Sequence, residues 1–319
     1  MNMTQWILLG ISIVILLAVI ACIWIGNYFY NLALNPAVDK SVVLNAPHNA
    51  IVSGLAAKTV HEQWFEQSGV EDREMLSQDG LRLHAYVIRQ ANPASKWAIL
   101  AHGYTSEAKA MTHAAYQLHG RGFHILMPDA RGHGLSEGKY IGMGWHERLD
   151  LLKWIHTLLT EDPDVEIALY GVSMGAATVM MTSGEDLPPQ VKVIVEDCGY
   201  TSAKAEFTYQ LKGIFGLPAF PIIPIASLIA RLRAGYTLGE ADALSQISKS
   251  DIPTMFIHGD QDTFVPSRMV YELYAAAKAE KELYIVPGAG HGGAASVAGE
   301  DYWTKVEDFI HRYIERNEA

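Results

Sequence analysis

Hydrophobic and polar positions divide this chain into three regimes. The first is unbroken: residues 6–25 carry no formal charge, and at 1.5 Å rise per residue a helix of about twenty residues spans a ~30 Å hydrocarbon layer. This predicts a membrane-spanning helix. The competing readings are a buried core helix, which is rarely apolar on every face, and a cleavable signal peptide, whose apolar region is normally shorter. Trp24, Tyr28 and Tyr30 gather at the far end of the run, as amphipathic rings do at a membrane–water boundary. Residues 31–53, rich in Asn and Ala with Pro36 and Pro47, read as a linker, and a short helix is expected over 55–65.

In the second regime short apolar runs alternate with amphipathic stretches. Residues 73–78 and 81–90 flank Asp79-Gly80, the pair that a type I′ hairpin turn prefers, which predicts two antiparallel strands. Strands are then expected at 97–101, 123–128, 165–170, 191–196, 254–258 and 283–286. Helices are expected near 108–118 and 145–159, directly after Ser173, and near 267–279 and 303–316. That order predicts an α/β fold, a mostly parallel sheet flanked by helices.

The third regime interrupts the second. More than fifty residues separate the strand ending at Glu196 from the one starting at Thr254, where two to six residues are usual, so an element is inserted. Its centre, 214–230, is almost wholly apolar, but Pro218, Pro221 and Pro224 predict short helical or extended pieces instead of a second membrane span. The expected division is therefore an anchor over 1–30, a linker with a short helix over 31–68, and an α/β domain over 69–319 with a lid inserted at about 200–250.

Composition narrows the picture. Acids outnumber bases 35 to 24, which argues against a nucleic-acid surface built from clustered Lys and Arg. The two cysteines, Cys22 and Cys198, allow neither a disulfide framework nor a cysteine zinc site. Val19-Ile20-Ala21-Cys22 loosely resembles a lipoprotein cleavage box, but no Lys or Arg precedes it and the apolar run continues past Cys22. No basic residue precedes the helix and the first after it, Lys40, lies beside Asp39, so charge does not fix the orientation. A single-pass anchor in the cell membrane, with the large C-terminal part extracellular, is the expected topology, because large domains translocate largely regardless of charge.

The chemistry centres on Gly171-Val172-Ser173-Met174-Gly175. An apolar strand enters it and small helix-compatible residues leave it, so Ser173 sits where strand turns sharply into helix, as a nucleophile does. A serine hydroxyl needs a base to take its proton and an acid to orient that base. His291, in the glycine-rich loop Pro287-Gly288-Ala289-Gly290-His291-Gly292, is the candidate base. Asp262 is the candidate acid; Asp260 is the alternative, and more naturally stabilises the turn. A tetrahedral oxyanion needs two pre-aimed N–H donors. Met174, just after the nucleophile, offers one and Tyr104, in His102-Gly103-Tyr104-Thr105 after a predicted strand, the other. No metal or organic cofactor is implied, since His-Glu-x-x-His and both glycine-rich nucleotide motifs are missing.

Together, His102-Gly103, Asp129-x-Arg131-Gly132-His133-Gly134-x-Ser136, Gly171-x-Ser173-x-Gly175, Asp262 and His291 resemble the α/β-hydrolase superfamily. The Asp129–Ser136 motif, the Asp262 loop and the N-terminal helix look most like membrane-anchored bacterial cell-surface serine hydrolases of the serine-aminopeptidase-like branch. The resemblance implies the triad Ser173, Asp262 and His291, with the Asp129–Ser136 loop and Glu196–Tyr200 structural. It implies hydrolysis of small-molecule acyl esters through a Ser173 acyl-enzyme, with a peptidase or amidase as the alternative. A non-catalytic binding protein on the same scaffold is the remaining reading. The insertion either packs plainly on the sheet domain, or lines an acyl pocket with Phe215 and Phe220, or touches the bilayer. Since all these loops follow Arg73, removing residues 1–30 is expected to leave turnover of short soluble esters unchanged.

Overall fold

The computed structural model describes residues 2–46, 60–91 and 95–314. The apolar N-terminal run forms one helix, α1 (Met3–Leu34), of 32 residues. Among the described residues it is the one helix long and apolar enough to cross a membrane. Its first two-thirds expose apolar side chains on every side. From Cys22 onward a stripe of Gly26, Phe29, Tyr30, Ala33 and Leu34 is buried or half-buried. The helix thus passes the boundary expected at residue 30, and its last turns pack into the folded body. Lys40 caps it, its ammonium donating to the carbonyls of Asn31, Asn35 and Val38. Burial lowers the Lys40 pKa to about 8.

A short helix α2 (Ser41–Leu44) and α3 (Val60–Gln67) follow; the first residues of the helix expected at 55–65 lie outside the described residues. The hairpin β1 (Glu71–Leu76) and β2 (Arg82–Ile88) is antiparallel as the pattern predicts. Its turn is not type I′. Gly80 alone takes a positive φ, of 85°. Ser77 N donates to the Leu81 carbonyl and Gly80 N to the Ser77 carbonyl, which makes a three-residue loop closed by a left-handed glycine. Ser77 Oγ accepts from Leu81 N and bonds Asp79 Oδ1, holding Asp79 out of the left-handed region that a type I′ turn requires.

The alternation then appears in full. It runs β3 (Lys96–Ala101), a 3₁₀ turn (Ala108–Met111), α4 (Thr112–Gly120), β4 (His124–Pro128), α5 (Glu147–Glu161), β5 (Glu166–Val172), α6 (Met174–Thr182) and β6 (Val191–Asp197). The insertion supplies α7 (Ala203–Phe215), α8 (Ala219–Ala234) and α9 (Ala243–Ile247). The chain closes with β7 (Thr254–Gly259), α10 (Arg268–Ala276), β8 (Lys281–Val286), α11 (Ala294–Ala298) and α12 (Glu300–Ile310). The strands form one eight-stranded sheet in the order β1-β2-β4-β3-β5-β6-β7-β8, parallel from β4 onward. Side-chain alternation makes both faces apolar: Leu100, Met127, Tyr170 and Val195 meet α4 and α12 on one side, while Ile99, Leu126, Leu169 and Ile194 meet α5 on the other.

The insertion is interrupted at its prolines as the sequence predicts: α7 ends at Phe215, Pro218 is extended ahead of α8, and Phe220 leaves the helical backbone just before Pro221 (φ −92°, ψ 132°). Pro221 opens the regular helix, where its missing N–H has no intrahelical acceptor, and Pro224 lies inside that helix.

Candidate active site

β5 ends at Val172 and α6 begins at Met174, leaving Ser173 alone to make the turn at φ 57°, ψ −115°. Holding a non-glycine residue there costs of order 1–3 kcal/mol, which the surroundings must offset. The flanking glycines show how tightly they do so. A Cβ on Gly171 would lie 2.3 Å from the Gly175 carbonyl oxygen, and one on Gly175 would lie 1.9 Å from that of Ala101. Ser173 N donates to the Asp197 carbonyl at 2.8 Å, which fixes the turn to the neighbouring strand.

Two loops at the carboxyl ends of β7 and β8 bring in the partners. His291 Nε2 lies 2.8 Å from Ser173 Oγ and His291 Nδ1 lies 2.7 Å from Asp262 Oδ2. Asp262 Oδ1 accepts from the N–H groups of Phe264 and Val265, each at 2.9 Å. Burial opposes ionisation of Asp262, but hydrogen bonds from His258 and His291 outweigh it and hold the pKa down at about 2. The carboxylate is therefore charged at neutral pH. Asp260 takes another part: its Oδ1 accepts from Gly288 N at 2.7 Å and staples the two loops together.

His258 is the residue that sequence reasoning passed over. It is fully buried on β7, four residues before Asp262, with Nε2 2.9 Å from the Val265 carbonyl and 3.2 Å from Asp262 Oδ2. Burial lowers its pKa, yet the bond to Asp262 prevails and the net shift is upward. His258 thus positions the acid from the side opposite His291. The available signal was its spacing from Asp262. Phe264 completes the support, stacking on the His291 ring at 4.8 Å.

The loop after β3 faces the elbow. An added Cβ on Gly103 would lie 3.5 Å from Ser173 Cβ, so the neighbouring Tyr104 N–H is carried close to the nucleophile. Among the described residues, no intrachain hydrogen bond takes up the N–H of Tyr104 or of Met174. His102 ties this loop to the one after β4, its Nε2 accepting from Ala130 N at 3.0 Å. Asp129 accepts from Ala108 N and Leu135 N. Arg131 forks onto Asp150 at 2.8 Å through two nitrogens and also reaches Asp79. The motif between them braces the loop that carries Tyr104 from behind.

Among the described residues, one grouping has metal-ligand atoms within 4.8 Å of one another, namely Cys198, Asp262 and His291. The aspartate and histidine are already bonded to each other, and the histidine to Ser173; burial pushes the Cys198 thiol well up, away from the thiolate that a metal or a nucleophile needs. Cys198 does lie beside His291, but as a buried thiol.

Ser173 stands between two cavities. One is walled by apolar side chains such as Phe29, Met143, Leu211, Phe215 and Ile223. The other, on the far side, has mixed walls that include Ser106, His113, Asp197, His291 and Ser296. Phe215 lies in the apolar wall. Phe220 does not: it is 77% exposed, because the extended backbone at Phe220 turns its ring away before α8 becomes regular.

Comparison with known proteins agrees with this fold. The family model described as serine aminopeptidase, S33, matches residues 92–211, and that described as serine hydrolase (FSH1) matches 152–292. The uncharacterized protein YqkD of Bacillus subtilis (strain 168) is 29% identical over 213 residues, 66% of this chain and 70% of that one. The esterase YjfP of Escherichia coli (strain K12) is 26% identical over 211 residues, 62% of this chain and 80% of its own. In three dimensions the Pyrococcus furiosus esterase Pf2001 superposes with a TM-score of 0.64 at 24% identity, covering 83% of this chain and 97% of that one. That last likeness speaks to the fold alone.

Proposed function

This chain belongs to the α/β-hydrolase superfamily, and from that premise we propose that it is a membrane-tethered serine hydrolase cleaving carboxylic esters through a Ser173 acyl-enzyme. The observation that carries the reading is the hydrogen-bonded series Ser173–His291–Asp262, at 2.8 and 2.7 Å, set between an apolar and a mixed cavity. In this reading the acyl chain enters the apolar cavity and the alcohol portion the mixed one. Ser173 Oγ attacks the carbonyl carbon while its proton passes to His291 Nε2, and the oxyanion accepts from Tyr104 N and Met174 N. Asp262 holds the imidazole tautomer and stabilises the imidazolium. His291 then protonates the leaving alkoxide, and a water activated by the same nitrogen releases the acid.

The membrane tether rests on α1. Its first two-thirds are apolar and exposed, whereas its last turns line the cavity beside Ser173, which favours a retained helix over a cleaved signal. We place the catalytic domain on the extracellular face. The test is to fractionate cells, extract the membrane fraction with detergent, and compare p-nitrophenyl acyl esters with aminoacyl and peptidyl amides. Ester turnover recovered from the membranes is the expected result. Amide turnover without ester turnover would make the protein a peptidase, and activity in the soluble fraction without detergent would remove the tether.

A further inference from the structure

The apolar cavity has one wall that neither the sheet nor the insertion supplies. Phe29, Tyr30, Leu32, Ala33 and Leu34, all from the end of α1, line it alongside Ser173. This wall is fastened at several points. The Phe29 ring meets Phe215 edge-on at 5.3 Å, and the Leu34 carbonyl accepts from Ile141 N at 2.8 Å. The Ala33 carbonyl accepts from Tyr104 Oη at 2.6 Å, so the residue that offers an N–H toward the oxyanion position is tied by its side chain to the same helix. Gly26 allows the approach: a Cβ there would lie 2.3 Å from Ile225 Cγ2 of α8.

We propose that the last turns of α1 are the specificity wall of the acyl site, with Phe29 and Ala33 setting how long a straight apolar acyl chain is accepted. The proposal rests on the ester reading above and names its substrate class. A charged acyl group does not fit this cavity, because removing a charge from water needs a partner and the polar side chains here are already occupied or neutral. The Tyr104 hydroxyl is spent on Ala33. Gln210 donates to Glu206 and to the Phe264 carbonyl. Burial raises the Glu206 pKa to about 8, which keeps its carboxyl protonated at neutral pH. An apolar chain meets no such cost, and each methylene seated against the wall is worth about fourfold in kcat/KM.

The experiment measures kcat/KM of the full-length protein in detergent on p-nitrophenyl esters from acetyl to dodecanoyl, normalised to the amount of Ser173 that a fluorophosphonate labels. In the native protein kcat/KM should rise with chain length to a limit. Phe29→Ala should move that limit at least two carbons longer, and Ala33→Leu should move it shorter. Ile23→Ala, on the exposed part of α1, should leave the profile unchanged. The opposite displacements of Phe29→Ala and Ala33→Leu guard against a general loss of folding, which would lower all chain lengths together. A native profile in both variants, with labelling intact, overturns the wall and leaves the hydrolase; a native protein that does not label overturns the hydrolase reading itself.

Discussion

At the scale of single residues, function here depends on which aspartate faces the imidazole. Asp262 Oδ2 is 2.7 Å from His291 Nδ1, whereas Asp260 serves Gly288 N at the exposed rim. Asp262→Asn should therefore cut turnover by about 10⁴-fold, as loss of the orienting acid does in other triads, while Asp260→Asn should cost less than about tenfold, the worth of one exposed hydrogen bond. Steady-state kinetics of the two variants on one short ester checks the ranking, and a reversed order would move the role to Asp260. The sequence singled out Ser173, Asp262 and His291, which the structure brings within hydrogen-bonding distance of one another in series, because an elbow with no room for Cβ atoms and a loop closing on a histidine impose fixed spacings. It misled at Phe220, since the orientation of a ring depends on where a helix begins, and Pro221 starts that helix one residue too late for Phe220 to turn inward. His258 was overlooked because a buried strand histidine looks like ordinary core until its distance to Asp262 is known.

At the scale of elements, the decisive contact is α1 on α8. The apolar run predicted a helix but not its end, because the asparagines at 27, 31 and 35 break the apolar run of residues 27–35 and suit a linker as well as a continuing helix. Its packing was equally illegible, since it depends on a glycine that looks unremarkable in a membrane-spanning run. Gly26→Val would push a branched side chain into Ile225 and Ile229, against which an added Cβ already lies within 3.2 Å. Overpacking of this kind costs roughly 1–3 kcal/mol. The variant should show a lowered melting temperature in detergent, and an unchanged melt would mean that α1 and α8 separate freely. Removing residues 1–30 also takes on a new meaning, because it cuts away Phe29 and Tyr30. Acetyl esters, too short to reach that wall, are the ones whose turnover can survive the deletion as the sequence suggested.

At the scale of the whole molecule, buried acids shape the pH dependence of stability. Burial raises Glu196 and Glu206 to about 8 and Asp197 to about 6. Each holds a proton in the folded state that the unfolded chain releases near pH 4 to 4.5, so its contribution is fully present below that range and is lost as pH rises through the folded pKa. His133 and His146, lowered by burial to about 4, act the other way, adding stability as pH climbs from about 4 to 6.5. The two sets oppose each other in mildly acidic solution; above pH 6.5 the glutamates remain, His258 with its raised pKa acts in the same direction, and Lys40, lowered to about 8, opposes them only above that value. Melting temperature should therefore fall between pH 6.5 and 8.5, and Glu206→Gln, which has no proton to lose, should flatten part of that fall. A rising curve would mean that these carboxyls are ionised in the folded protein.

All three scales converge on one claim, that Ser173 is the nucleophile of a hydrolase. The most direct measurement is covalent labelling of the detergent-solubilised full-length protein with a fluorophosphonate, followed by peptide mass mapping, in the native chain and in Ser173→Ala. The account predicts one adduct, on Ser173, absent from Ser173→Ala together with ester turnover. An adduct that persists in Ser173→Ala, or that maps to another residue in the native chain, contradicts it.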